Sequence, residues 1–134
     1  MQLSFRSAST APSDEYRIDI LHSSNCDNPS RRGNVLEIDY YTARMILGRP
    51  SGEAVVVVYD SSAQCGTGLP YQMVLGSGDM LPGVDQGLYD MCPGEVRRIT
   101  IPPILGFGVK GNKLFGIPGN AALSWDIELV RINQ

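Results

Sequence analysis

Apolar and polar positions alternate with a period of two along most of this chain and change to a helical spacing only once. Between Val35 and Tyr41, Leu36, Ile38 and Tyr40 fall on one face and Glu37 and Asp39 on the other, the pattern of a half-buried strand. The same alternation predicts an edge strand over Tyr16–Leu21, where Tyr16, Ile18 and Ile20 oppose Arg17 and Asp19, and a strand over Val96–Ile101. A last strand is predicted over Ala122–Ile132, with Leu123, Trp125, Ile127 and Leu129 facing one way and Ser124, Asp126 and Glu128 the other. The Val-rich run Ala54–Asp60 and the segment Pro70–Leu75, with Tyr71 and Met73 on one side, read as two more strands, interrupted by the Gly/Ser loop Ser61–Leu69. Helical spacing appears at Leu81, Val84, Leu88 and Met91. It sits between turn signals at Gly76-Ser77-Gly78 and Pro93-Gly94, and Pro102-Pro103 ends the strand that follows, because proline cannot donate to a ladder. One helix this short cannot bury its own apolar face, so the strands must curl around it. The pattern predicts an α+β fold, an antiparallel half-barrel β-sheet wrapped around one short α-helix.

Composition narrows the function classes. The chain has 134 residues, 43% of them apolar, which suits one domain with a modest core. Met1–Ser13 is rich in Ser, Ala and Thr without an apolar signal region, so residues 1–13 read as a disordered leader or a cloning remnant and 14–134 as the domain. Net charge is −3 with both signs scattered, which gives no nucleic-acid footprint. The basic pairs Arg31-Arg32 and Arg97-Arg98 read as solvated edge charges. Apolar runs reach strand length only, so no membrane span is expected. One histidine, His22, and three cysteines without a Cys-x-x-Cys pair exclude an ordinary zinc site and give a Ser-His-Asp triad no support. Gly76–Leu81 lacks the third glycine of a dinucleotide fingerprint, and the carboxylates Asp126 and Glu128 sit on an outward strand face, read as solvated. No cofactor and no metal are expected.

In this order, several motifs resemble the FKBP-type peptidyl-prolyl isomerases. They are Gly-x-Gly-x-x-Leu at Gly76–Leu81, Pro-Gly-Val-Asp-Gln-Gly-Leu at Pro82–Leu88, Met91-Cys92-Pro93-Gly94-Glu95 and Arg98–Pro102. Leu105-Gly106-Phe107-Gly108, Ile117–Leu123 and Asp126–Leu129 complete the set, and the resemblance runs from Gly33 to Ile132. It implies a prolyl isomerase whose apolar pocket holds Asp60, Tyr40 and Phe107 as catalytic residues and Tyr59, Tyr71, Met80, Leu81, Val84, Ile117 and Trp125 as substrate-binding residues. Asp60 would sit by the ligand carbonyl, oriented by Tyr40, and the backbone N–H of Leu81 would donate to the ligand. Read alone, Asp60 is equally a turn residue capping the Ser61-Ser62 bend, and inward aromatics are core. Secretory-pathway members of the family bridge cysteines at the positions of Cys26 and Cys92, which implies a disulfide here, an oxidising compartment such as the endoplasmic reticulum lumen, and a free Cys65. Without the bridge a cytoplasmic location follows.

Departures from the family matter as much. Val84 stands where the family has a tryptophan floor, Trp125 and Phe107 where it has phenylalanine and tyrosine, and Tyr59 and Tyr71 replace phenylalanines. No arginine follows Asp60. The link Thr42–Glu53 is longer than the family's, with apolar Met45, Ile46 and Leu47 before a Gly48–Gly52 turn signal; it is either a lengthened hairpin or a partner surface. The expectation is a monomeric isomerase of reduced activity on proline-containing polypeptide clients, assisting their folding, with weak binding of tacrolimus- or rapamycin-type macrolides. The alternative is a non-catalytic protein-binding or chaperone module using residues 42–53 and the Val109–Gly119 loop, where Leu114 and Phe115 would meet a partner.

Overall fold

The computed structural model describes residues 15–48, 51–61 and 69–133. Residues 1–13, Ser62 and Cys65 lie outside the described residues. In chain order the elements are β1 (Arg17–His22), β2 (Val35–Gly48), β3 (Ala54–Asp60), β4 (Tyr71–Val74), α1 (Pro82–Gln86), β5 (Val96–Ile101) and β6 (Ala122–Asn133). A 3-10 turn, Pro103–Leu105, follows β5. Among the described residues the sheet runs β1-β5-β6-β2-β3, every pairing antiparallel. The first half of β2 pairs with β4 (Val35 with Val74 through Ile38 with Tyr71) and the second half with β3. β3 and β4 thus share one strand position, split by the predicted Gly/Ser loop. No helix among the described residues is long and apolar enough to cross a membrane.

The core lies between the inner face of this sheet and α1. Leu36, Ile38, Ile99, Ile101, Leu123, Ile127 and Leu129 are fully buried there with Val84, Leu88 and Met91. The helix is shorter than the Leu81–Met91 spacing implies. Pro82 opens it at a position where its missing N–H costs nothing, but regular structure stops at Gln86. A Cβ on Gly87 would come 2.5 Å from Ile99 Cδ1, so only glycine lets the chain pass this close to β5. Beyond it, the carbonyls of Gly87, Tyr89 and Asp90 turn to the Arg97 guanidinium at 2.8, 2.9 and 3.1 Å instead of extending the helix. From the edge strand's side, the Tyr16 hydroxyl donates to the Gly83 carbonyl at 2.6 Å. Burial pushes that phenol up to about 12, against the pull of Arg97, so it stays a donor.

The lengthened link is a hairpin. β2 continues to Gly48 and β3 starts at Ala54, paired regularly from Arg44 with Val58 to Gly48 with Ala54. A bulge between Tyr40 and Thr42 resets the side-chain phase. Before it Leu36, Ile38 and Tyr40 face inward; after it Ala43 and Met45 do. Without the extra residue Arg44 would point into the core. With it, Arg44 reaches the outer face and meets Asp126.

The charged residues of β5 and β6 correct two sequence expectations. Arg97 is no solvated edge charge: at 8% exposure it is buried beneath the sheet, paired with Glu95 at 2.7 Å. Asp126 points outward but is only 8% exposed, because Arg98 (2.8 Å) and Arg44 (3.1 Å) close over it. Burial alone would push the Asp126 carboxyl up, but the two guanidinium groups outweigh it and hold it below the usual carboxylate range. A folded-state value depressed in this way contributes stability above the unfolded value, about 4, that is lost as pH falls through the folded one. The urea midpoint is therefore expected to stay flat from neutral pH to about 5 and to drop below about 4. Asp126→Asn should start from a lower midpoint and show a shallower drop; an unchanged acid limb in that variant would refute the assignment.

Candidate functional site

Two inward strand positions begin the site. Tyr40 on β2 and Trp125 on β6 flank Ala43 and Ile127 on the inner face and pack ring on ring, centroids 4.9 Å apart and tilted by 38°. The Tyr71 edge, from β4, meets Tyr40 at 6.3 Å. From the end of β3, Tyr59 stands nearly perpendicular to Trp125 at 6.4 Å. The loop after β5 supplies Phe107, edge-on to Tyr59 at 6.4 Å. Five of the ten sequence-identified residues are thus joined directly by ring contacts.

Asp60 ends β3 beside them. The Tyr40 hydroxyl donates to Asp60 Oδ2 at 3.4 Å, and the Ser61 N–H donates to Asp60 Oδ1 at 2.9 Å. The carboxylate therefore accepts both from the aromatic cluster and from the backbone N–H of the residue that follows β3; Ser62 of the bend expected from sequence lies outside the described residues. Trp125 Nε1–H donates to the Tyr59 hydroxyl at 3.0 Å. Burial pushes the Tyr59 phenol well above its ordinary value and the Asp60 charge adds to this, while the indole N–H works against both. Tyr59 is therefore protonated, and so able to donate, at neutral pH.

The other four residues sit differently. Val84 is wholly buried under the cluster and Ile117 nearly so. At 0% exposure Val84 is core in this conformation and presents no surface to a ligand. Leu81 and Met80 pack at the edge of the same core, and Met80 also lines a separate groove with Pro82, Gln86 and Tyr89. Leu81 precedes the helix in extended conformation (ψ 145°), and its carbonyl accepts from Val84 and Asp85 at 3.0 and 2.9 Å. Its own N–H meets no acceptor among the described residues.

Phe115, expected from sequence at a loop tip, is 37% exposed there, but its ring also lies 5.4 Å from Tyr59 and 6.5 Å from Phe107, which the sequence did not signal. The loop folds back because Asn112 and Ile117 exchange backbone hydrogen bonds, each of 2.8 Å, and Asn112 Oδ1 accepts from the Phe115 N–H at 3.2 Å. Gly111, with φ of 68°, permits the turn: a Cβ there would overlap the Ile117 carbonyl. The Asn-Gly-rich composition of 111–120 marked a turn but carried no register. Leu114 does stand out from the tip, 86% exposed.

An antiparallel sheet packed on one short helix, with a cluster of aromatic rings beside the Asp60 carboxylate, places the chain in the class of one-helix half-barrel domains. The family model described as FKBP-type peptidyl-prolyl cis-trans isomerase matches residues 26–130, and the chain belongs to that family. It is 36% identical over 130 residues to the FK506-binding protein 2 of Dictyostelium discoideum, a match covering 95% of this chain and 87% of that protein. It is 36% identical over 124 residues to the peptidyl-prolyl cis-trans isomerase FKBP7 of Mus musculus, over 90% of this chain but 52% of that protein, so it spans about half of that relative's length. The isomerase FKBP15-1 of Arabidopsis thaliana is 37% identical over 108 residues, 81% of this chain and 63% of that protein.

Proposed function

We propose that this chain accelerates rotation about Xaa-Pro bonds in proline-containing polypeptide clients, assisting their folding in the endoplasmic reticulum lumen, with reduced activity and weak binding of tacrolimus- or rapamycin-type macrolides. The observation that carries it is the Tyr40–Asp60 contact set in a wall of aromatic rings. Rotation is slow because the amide is resonance-stabilised, with a barrier of about 20 kcal/mol. At the twisted transition state resonance is lost and the carbonyl becomes less polar. A surface that takes the amide out of water disfavours the planar ground state more than the twisted one, and only such a difference speeds the step. Tyr59, Tyr71, Phe107, Leu81 and Met80 offer that surface, Trp125 lies at its base, and the Leu81 N–H is a donor for the client backbone. Asp60, oriented by Tyr40, faces the polar side of the bond.

Reduced activity follows from Val84, which lies too deep to form a floor, and from Phe107, which brings no hydroxyl. The location follows from the Cys26–Cys92 disulfide, a bond that persists in oxidising compartments. The test is a protease-coupled or NMR-exchange measurement on an Xaa-Pro peptide. Isomerisation should run measurably above the uncatalysed rate, and Asp60→Ala should lower kcat/KM by about tenfold, the equivalent of 1.4 kcal/mol in the barrier. A rate at micromolar protein equal to the uncatalysed one removes this reading. It would leave the second, a non-catalytic protein-binding module, which the exposed Leu114 and the exposed hairpin residues Val56 and Val58 favour.

A further inference from the structure

We propose that the Tyr59 hydroxyl is the side-chain hydrogen-bond donor this site offers to a client's peptide carbonyl, beside the Leu81 N–H and in place of the hydroxyl that Phe107 lacks, and that Trp125 is the positioning residue that aims it. The inference rests on the isomerase reading above and goes beyond it by naming the donor and the carbonyl it takes.

The argument starts from what each partner can do. An indole N–H only donates, whereas a phenol oxygen both accepts and donates. Trp125 Nε1–H already occupies an acceptor site on the Tyr59 oxygen at 3.0 Å. The phenolic proton lies close to the ring plane, so it must turn to the side away from the indole. Among the described residues no acceptor meets it there. A phenol proton in a largely buried position without an acceptor costs free energy until water or a ligand accepts from it. The raised ionisation of Tyr59 keeps that proton in place at any working pH. Phe115 at 5.4 Å and Phe107 at 6.4 Å wall the phenol in on two sides, so an arriving carbonyl meets a donor already shielded from water.

Which carbonyl it takes follows from the chemistry of rotation. A donor on the carbonyl of the rotating amide would stabilise the planar, more polar ground state and slow the reaction. A donor on a flanking carbonyl holds one side of the chain while the other turns, and binds ground and transition states alike. Tyr59 therefore acts chiefly through KM.

The experiment compares wild type, Tyr59→Phe, Trp125→Phe and the double variant Tyr59→Phe/Phe107→Tyr, each checked for folding by circular dichroism. Tyr59→Phe should lower kcat/KM by about three- to tenfold, the range of one hydrogen bond, with KM rising and kcat nearly constant. Trp125→Phe should give a smaller rise in KM. The double variant should recover to within about twofold of wild type, because it returns a hydroxyl to the neighbouring ring. If wild type is inactive, the isomerase reading itself is lost. If wild type is active and Tyr59→Phe matches it, or the double variant shows no recovery, that reading stands and the donor assignment is overturned.

Discussion

Arg97→Ala is expected to cost about 3–5 kcal/mol of stability, the usual penalty for removing one partner of a buried ion pair. The reason lies in how much one guanidinium does. It holds Glu95 Oε2 at 2.7 Å and satisfies three main-chain carbonyls, those of Gly87, Tyr89 and Asp90. Glu95 in turn accepts from the Cys92 N–H at 3.1 Å through its other oxygen. Without Arg97 a carboxylate 5% exposed is left without its charge partner, and the turn that ends α1 loses its donors. Arg97→Lys should recover little, since an ammonium cannot spread its donors across four acceptors as the planar fork does. The combined variant Arg97→Met/Glu95→Gln should be more stable than Arg97→Met alone, because it removes the stranded charge. Urea midpoints read this directly. A loss under 1 kcal/mol in Arg97→Ala, or a double variant no better than the single, would show that the pair is not what fixes the turn.

Arg97 also shows where the sequence stops being legible. Strands and core were readable because period-two alternation is written in side chains: Leu36, Ile38, Leu123, Ile127 and Leu129 sit inward as their spacing says. Arg97 falls on the inward phase of β5 with Ile99 and Ile101, but its acceptors are mostly backbone carbonyls, which leave no mark in a residue pattern. The same blindness explains the helix. Leu88 and Met91 are buried as helical spacing requires, yet they belong to the turn that Arg97 organises, not to α1.

The second half of β2 was obscured by one inserted residue. The bulge after Tyr40 moves Ala43 and Met45 inward and Arg44 outward, so simple alternation breaks where the strand in fact continues. Asp126 was misjudged because its partners, Arg44 and Arg98, come from two neighbouring strands and are adjacent only once the register is known. At the site, the alternation and the resemblance together placed Tyr40, Tyr59, Asp60, Tyr71, Phe107 and Trp125, and the structure gathers them. The depth of Val84 and the return of Phe115 depend on how rings pack and how a loop closes, which no spacing encodes.

Breaking the Cys26–Cys92 bond is expected to lower the thermal midpoint by about 10 °C while leaving the native fold in place. The bond joins residues 66 apart in sequence, and constraining an unfolded chain over such a loop is worth roughly 2–4 kcal/mol. Most of that acts on the unfolded ensemble, because the native segment is held independently. Ser30, almost fully buried, exchanges backbone hydrogen bonds with the 90–91 turn: its N–H donates to the Met91 carbonyl at 2.8 Å and its carbonyl accepts from Asp90 at 2.9 Å. Its hydroxyl donates to the Leu88 carbonyl at 2.6 Å and accepts from the Met91 N–H at 2.8 Å. Ser24 adds a bond to the Pro93 carbonyl at 2.7 Å. The turn that Arg97 grips from β5 is thus gripped from the other side by residues 24–30, with or without sulfur. Reductant, Cys26→Ser and Cys92→Ser should therefore all lower the midpoint yet keep the wild-type circular dichroism at 25 °C. The isomerase rate should not move, since Tyr40, Asp60 and Tyr59 lie on other elements. Thiol titration of the denatured, unreduced protein should find one reactive cysteine of the three in the chain. Three reactive thiols, or a midpoint indifferent to reductant, would mean that the bridge does not form, and with it would go the argument for an oxidising compartment.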